Sequence, residues 1–230
     1  LSCGSKKKVV ETVDTTPILE KEVVVKLDDY DSEFQKNWVD SVYKQMTLDD
    51  KVGQLFMIPA YSNKDAAHEN SVENLVKYYK VGGVIFFQGG PGRQAKLTNR
   101  YQSQSQVPLF IAIDGEWGLS MRLDSTYRYP WNMTLGAIKN KKLLEKVGVQ
   151  MGEQSKRLGL QFNFAPVLDI NTNPKNPIIG FRSFGEDKFK VTERAIALMK
   201  GFQSQGVFST GKHFPGHGDT DIDSHHALPT

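Results

Sequence analysis

Short apolar runs, each separated from the next by an amphipathic stretch, constrain this chain more than any other feature. The runs are Leu55-Phe-Met-Ile58, Gly83-Val-Ile-Phe-Phe87, Leu109-Phe-Ile-Ala-Ile113, Phe162-Asn-Phe-Ala-Pro-Val-Leu168 and Val207-Phe208. Each is too short for a helix, and several are apolar on both faces, as strands buried in a parallel sheet are. Between them, Val72, Leu75, Val76 and Tyr79 follow the i, i+3, i+4, i+7 spacing of a helix face. Leu144, Val147, Met151 and Leu158 nearly repeat it, as do Val191, Ala195, Leu198 and Phe202, and a further helix is predicted over Gln94 to Ser103. Strands alternating with helices give an α/β fold on a parallel sheet.

Such a sheet either stays open or closes into a (β/α)8 TIM-type barrel. No Gly-x-Gly-x-x-Gly follows the first strand, and no phosphate-cradling loop appears. Polar residues instead follow several strands in turn: Asp114, Asp169, then Lys212 and His213. Convergence of many strand ends on one mouth is the habit of barrel enzymes. Five strands are about three short of a barrel, and roughly 200 residues fall below the usual ~250. The expectation is therefore an incomplete barrel, about five of eight βα units.

Residues 1–31 read as a tether and linker, and residues 32–230 as the barrel domain. Leu1-Ser2-Cys3-Gly4 resembles the end of a bacterial lipoprotein signal, which makes Cys3, the single cysteine, a candidate lipidation site. A chance cysteine in a terminus is the alternative. Val23-Val24-Val25 is a candidate short strand. A helix is predicted over Glu33 to Gln45 with Phe34, Trp38 and Tyr43 as its apolar anchors, and Thr47-Leu-Asp-Asp50 resembles a capping box opening another. The 29 basic and 26 acidic residues leave +3, part of it in Lys6-Lys7-Lys8, with no basic face for nucleic acid. No run approaches the ~18 apolar residues of a membrane span, so membrane attachment is expected only through lipid at Cys3.

The last twenty residues concentrate the chemistry. Four of the five histidines, His213, His217, His225 and His226, lie there among Asp219, Asp221 and Asp223. Pro215, Gly216 and Gly218 break regular structure, so the four-residue spacing of His213 and His217 does not place both rings on one helix face, as a zinc site needs. Asp219, Asp221 and Asp223 lack the glycine and distant glutamate of a calcium loop. No metal is expected. These groups can simply hydrogen-bond to one another and shape the loop, or they can transfer protons. Asp223 and His225 are close enough for the carboxylate to fix the imidazole's tautomer and favour its charged form. Such a histidine can give a proton and take one back near neutral pH.

Other strand ends suit a polar, uncharged substrate. Asp114 can accept two vicinal hydroxyls, Arg122 lies eight residues on, and Trp117 can stack on a sugar face. Arg182 sits in Ile179-Gly-Phe-Arg-Ser-Phe-Gly185, flanked by glycines and aromatics. Asp114, Arg122 and Arg182 can each equally be an ordinary surface or salt-bridging residue. Asp169 reads as tying strand end to loop, and Tyr127, Tyr129 and Trp131 as packing residues.

Taken together, Lys212-His-Phe-Pro-Gly-His-Gly-Asp-Thr-Asp-Ile-Asp-Ser-His225 resembles the signature of glycoside hydrolase family 3, in its β-N-acetylglucosaminidase branch. The likeness extends through Leu48-Asp-Asp-Lys-Val-Gly-Gln-Leu-Phe56, Gly82-Gly-Val-Ile-Phe86, Ile113-Asp-Gly-Glu116, Asn163-Phe-Ala-Pro-Val-Leu-Asp169 and the Arg182 segment. The resemblance implies a (β/α)8 barrel that releases terminal β-linked N-acetylglucosamine from cell-wall-type glycans by a retaining route, at the bacterial envelope and without a cofactor. By motif position, it implies His225 as general acid/base and Asp223 as its partner. Asp114, Arg122, Arg182, Lys212 and His213 are the implied sugar-binding set, and a nucleophilic aspartate is implied beyond the equivalent of Thr230. A histidine thus replaces one of the usual two carboxylates. Trp117 stands where the cell-wall-recycling members carry glycine, which crowds the sugar mouth or adds a stacking surface. The alternatives are a β-glucosidase of the same family, a lipid-anchored glycan-binding module without catalysis, and a metal-dependent hydrolase.

Overall fold

The computed structural model describes residues 32–229, so the expectations for Cys3 and for Val23 to Val25 lie outside the described residues. The chain runs α1 (Glu33–Gln45), α2 (Leu48–Gly53), β1 (Met57–Tyr61), α3 (Ala66–Tyr79), β2 (Gly83–Gln88), α4 (Pro91–Gln104) and β3 (Phe110–Ile113). It continues through α5 (Asn132–Gly136), α6 (Lys141–Arg157), β4 (Phe162–Asn163), α7 (Lys188–Ser204) and β5 (Phe208–Ser209). The five strands are all parallel and lie in sequential order, β1 to β5, as consecutive strands of a (β/α)8 barrel do.

The strands form where apolar side chains meet cover on both sides. In β3, the consecutive Ile111, Ala112 and Ile113 are all fully buried, so beyond the exposed Phe110 both faces of the strand are covered. Val84 and Phe86 of β2 pack with them against Val72 and Val76 of α3 and Leu97 and Tyr101 of α4. A second cluster joins Leu144 and Met151 of α6 to Val191, Ala195, Leu198 and Phe202 of α7. Full burial of each Val, Leu, Ile, Phe or Met among them contributes about 1.5–3 kcal/mol.

Helix ends follow local chemistry. Thr47 Oγ1 accepts from Asp50 N at 3.2 Å while Asp50 Oδ2 accepts from Thr47 N at 3.1 Å, the reciprocal box expected at α2. Asp65, Asn140 and Asp187 cap α3, α6 and α7 through their side chains.

Several expectations need correction. Helix α1 spans the predicted residues, but its presumed anchors Phe34, Trp38 and Tyr43 are all exposed, because α1 has no buried residue. Strand β1 starts at Met57, and Leu55 and Phe56 lie exposed in the turn that follows the short helix α2. The run from Phe162 to Leu168 pairs in the sheet only at Phe162 and Asn163. Beyond it, the peptide before Pro166 is cis, and Val167 meets Lys212 in an isolated bridge. Tyr79 is exposed at the last turn of α3.

Apolar surface remains open at both edges of the sheet. On the β1 side, Phe56, Ile58, Leu75, Tyr78 and Val81 line a hollow of about 520 Å³ near the strands' N-terminal ends. Beyond β5, Leu168, Ile170, Ile196 and Met199 line another of about 240 Å³. Among the described residues no helix is long and apolar enough to cross a membrane.

Candidate active site

The ionisable side chains gather at the C-terminal ends of β3, β4 and β5, opposite the larger apolar hollow. Asp114 directly follows β3. Its Oδ2 accepts from Arg122 Nη2 at 2.8 Å and its Oδ1 from Lys212 Nζ at 3.0 Å. Two residues further, Glu116 is fully buried. It receives Arg182 through two bonds, Nε to Oε2 at 3.0 Å and Nη2 to Oε1 at 2.8 Å, and Lys212 Nζ at 2.9 Å. Such a forked pairing fixes a guanidinium's plane as well as its position. Burial alone would raise the Glu116 carboxyl, but the bonds and charges of Arg182 and Lys212 outweigh it and hold the group below its ordinary range.

The third carboxylate, Asp169, is also buried and works as a hub. Oδ2 accepts from His213 Nδ1 at 2.6 Å and from His213 N at 3.2 Å, and Oδ1 accepts from His217 N at 2.7 Å. Burial opposes its charge, and the His213 and backbone bonds prevail, so its carboxyl too lies below the usual range. With Nδ1 bound to a carboxylate, His213 turns Nε2 toward Arg182 Nη2, 3.4 Å away. The tie predicted for Asp169 thus holds a site histidine. All five residues of the expected sugar-binding set belong to one network of charges.

Glu116 was not singled out in the sequence. A signal was present: three cations, Arg122, Arg182 and Lys212, against Asp114 alone leave buried positive charge, and Glu116 is the nearby carboxylate that balances it. Asn163 at the end of β4 supports the same loop, its Oδ1 accepting from Gly115 N at 2.9 Å and its Nδ2 donating to Gly115 O at 3.3 Å.

The loop after β5 is pinned over half its length. Asn176 Nδ2 donates to His217 O at 2.6 Å and to Thr220 O at 2.9 Å, and Asn173 Nδ2 to Asp219 O and Thr220 O, both at 3.1 Å. At Gly218 a Cβ would lie 1.9 Å from Ile170 O, so only glycine allows this approach. His217 is buried, with Nδ1 against Thr220 Oγ1. From Asp221 on, the loop is mostly exposed. There Asp223 Oδ1 meets His225 Nδ1 at 2.7 Å and accepts from His225 N at 2.9 Å, while the His225 side chain is 79% exposed. These backbone and ring bonds lower the Asp223 carboxyl below its ordinary range. Asp223 and His225 therefore meet as the sequence spacing suggests, and among the described residues no hydrogen bond joins them to the charge network. Asp219, Asp221 and His226 are exposed. No three His, Cys, Asp or Glu side chains among the described residues converge as a metal site would require.

Sequential parallel strands carrying converging polar groups at their C-terminal ends define a (β/α)8-type barrel domain with its site at the usual mouth. The model of the family described as "Glycosyl hydrolase family 3 N terminal domain" matches residues 47–230, and the chain belongs to that family. Over 171 residues it is 42% identical to "Beta-hexosaminidase A" of Pseudoalteromonas piscicida, covering 69% of this chain and 29% of that protein. It is similar to the solved family 3 β-N-acetylglucosaminidase of Paenibacillus sp. FPU-7, with TM-score 0.73, 41% identity, and coverage of 80% of this chain and 36% of that one. The β-glucoside phosphorylase BglX bound to 2FGlc gives TM-score 0.79 at 28% identity, covering 84% and 34%. The chain thus spans about a third of the length of these relatives.

Proposed function

We propose that the full-length protein is a retaining glycoside hydrolase that releases terminal β-linked N-acetylglucosamine from cell-wall-type glycans. His225 acts as general acid/base and Asp223 as its orienting partner. One observation carries this reading: Asp223 binds His225 through Nδ1 at 2.7 Å while the ring stays largely exposed. That pairing puts a proton on Nδ1 and makes Nε2 the nitrogen that exchanges protons with a ligand. The hexosaminidase and N-acetylglucosaminidase names of two of the similar proteins support the choice of sugar, while the third is named for a glucoside.

The steps follow from these roles. Asp114, Arg122, Lys212, Arg182 and His213 hold the terminal sugar by its hydroxyl and acyl oxygens. A carboxylate nucleophile, implied by the family resemblance and outside the given residues, attacks C1. Nε2 of the His225 imidazolium gives its proton to the glycosidic oxygen as the C1–O bond breaks. Neutral His225 then takes a proton from water as the water oxygen attacks C1 and releases the carboxylate, which regenerates the imidazolium. Throughout, the Asp223 carboxylate keeps the ring oriented through Nδ1.

Turnover of an N-acetylglucosaminide and of the matching glucoside by the full-length protein tests the substrate class. The N-acetylglucosaminide should be preferred at least tenfold, on the order of 1.4 kcal/mol in transition-state binding. Preference for the glucoside, or binding of sugar without turnover of either, would contradict the reading. On the same reading Cys3 carries a lipid that holds the enzyme at the bacterial envelope, and Cys3→Ser should move the protein from the membrane fraction to the soluble one. Retention in membranes would count against the anchor.

A further inference from the structure

Beside the charge network stands an aromatic wall that the steps above do not use. Trp117 directly follows Glu116, and Phe181 directly precedes Arg182, so two residues that fix the network each have an aromatic neighbour in the chain. Trp131 joins them: its ring centroid lies 4.3 Å from that of Trp117 and 4.2 Å from that of Phe181. The Arg128 guanidinium carbon lies 4.5 Å over the Trp131 ring. None of these three rings is buried in the core, and Phe181 is 50% exposed.

The wall is held firmly. Gly118 adopts φ +88°, and a Cβ there would sit 2.7 Å from the Tyr129 ring, so the turn carrying Trp117 closes only around glycine. Tyr129 N donates to Trp117 O at 3.2 Å. On the other side, Asn132 Nδ2 donates to Arg182 O at 2.8 Å, tying the Trp131 segment to the Phe181 segment. Clustered aromatic side chains left partly exposed beside a polar site mark a surface that a ligand desolvates.

We propose that Trp117, Trp131 and Phe181 form an aglycone subsite that takes the second pyranose ring of an unbranched β-linked oligosaccharide. This deepens the glycosidase reading and rests on it for which sugar lies at the cleavage point. A pyranose ring presents axial C–H groups on one face, and an aromatic surface covers that face while the ring's hydroxyls stay hydrated. Arg128 at the edge supplies a donor for a hydroxyl or acetamido oxygen. A substrate whose leaving group offers no ring gains nothing from the wall, so Trp117, Trp131 and Phe181 determine specificity without taking part in the proton transfers.

The test compares N,N′-diacetylchitobiose with methyl β-N-acetylglucosaminide in the full-length protein, for wild type, Trp117→Ala, Trp117→Phe and Phe181→Ala. The ratio of kcat/KM for disaccharide over methyl glycoside should fall roughly tenfold in the two alanine variants, the scale of one lost aromatic stacking contact, and largely return in Trp117→Phe. An equal fall on both substrates overturns the proposal. Phe181 is half exposed, so Phe181→Ala carries the test if Trp117→Ala fails to fold. Should wild type cleave neither substrate, the hydrolase reading fails and calorimetric titration judges the wall by itself. Disaccharide must then bind more tightly than N-acetylglucosamine, with the difference lost in Phe181→Ala. Equal affinity for the two sugars overturns it.

Discussion

At the scale of single residues, charge balance organises the site more than any one donor does. Glu116 is buried with two cations on it, so Glu116→Gln leaves Arg182 without its carboxylate and Lys212 with Asp114 as its remaining partner. Breaking a buried pair in this way costs on the order of 3–5 kcal/mol, and activity should fall with it as both cations lose their aim. The pH dependence has a definite sign. The Glu116 carboxyl lies below its unfolded value, so its contribution is complete above an ordinary carboxyl pKa of about 4.3 and is lost as pH falls through the lower folded value. Thermal melts should therefore show the widest gap between wild type and Glu116→Gln near neutral pH, narrowing below about pH 4. A gap unchanged across that range would mean that Glu116 is not the ionised partner of the pair. Asp114, Lys212 and His213 stood out in the sequence as polar residues after strands, whereas Arg122 and Arg182 joined the set through the family resemblance. Glu116 was given no role: the excess of cations called for a further carboxylate, but its partners lie 66 and 96 positions away along the chain, and the fold brings them together.

At the scale of elements, periodicity located the helices well and burial less well. The Val191, Ala195, Leu198 and Phe202 stripe is buried as spaced, because α7 packs against both α6 and β5. The stripe of α1 stays exposed, with Lys51 Nζ 3.6 Å over the Tyr43 ring in place of apolar cover, a fact no local pattern contains. Close packing of α6 on α7 depends on two glycines whose role is invisible to hydrophobic spacing. A Cβ at Gly201 would lie 2.3 Å from Glu145 O and 2.6 Å from Val149 N, and one at Gly148 would lie 2.2 Å from Leu198 O. Gly201→Ala should thus destabilise by about 1–3 kcal/mol through overpacking. Gly92, in the first turn of α4, has nothing within 4 Å of a built Cβ. Gly92→Ala should be neutral or stabilising by up to about 1 kcal/mol. Denaturant titration of both variants separates a packing effect from a helix-propensity effect; a Gly201→Ala protein as stable as wild type would refute the close approach.

At the scale of the whole molecule, five sequential parallel strands leave apolar hollows at both sheet edges, surfaces that further βα units of a barrel would cover. The aligned part of this chain covers 29% and 36% of two family relatives, whose remaining length leaves room for such units and for the nucleophile that the proposed mechanism needs. Strand order was legible because parallel strands joined by single helices have few right-handed arrangements. The pinned and exposed halves of the loop after β5 were not, since Asn173 and Asn176 lie in an irregular segment with no periodicity. The pinned half carries Lys212 and His213, which the proposed mechanism sets against the sugar, and the exposed half carries Asp223 and His225. Leaving-group dependence in the full-length protein tests that division of labour most directly. His225→Ala should lose at least 100-fold in kcat/KM on a substrate with a poorly acidic leaving group, the usual scale of general acid catalysis. With a dinitrophenyl leaving group, which departs without a proton, formation of the glycosyl-enzyme should stay near the wild-type rate. An equal loss on both substrates, or none on either, would contradict His225 as the general acid.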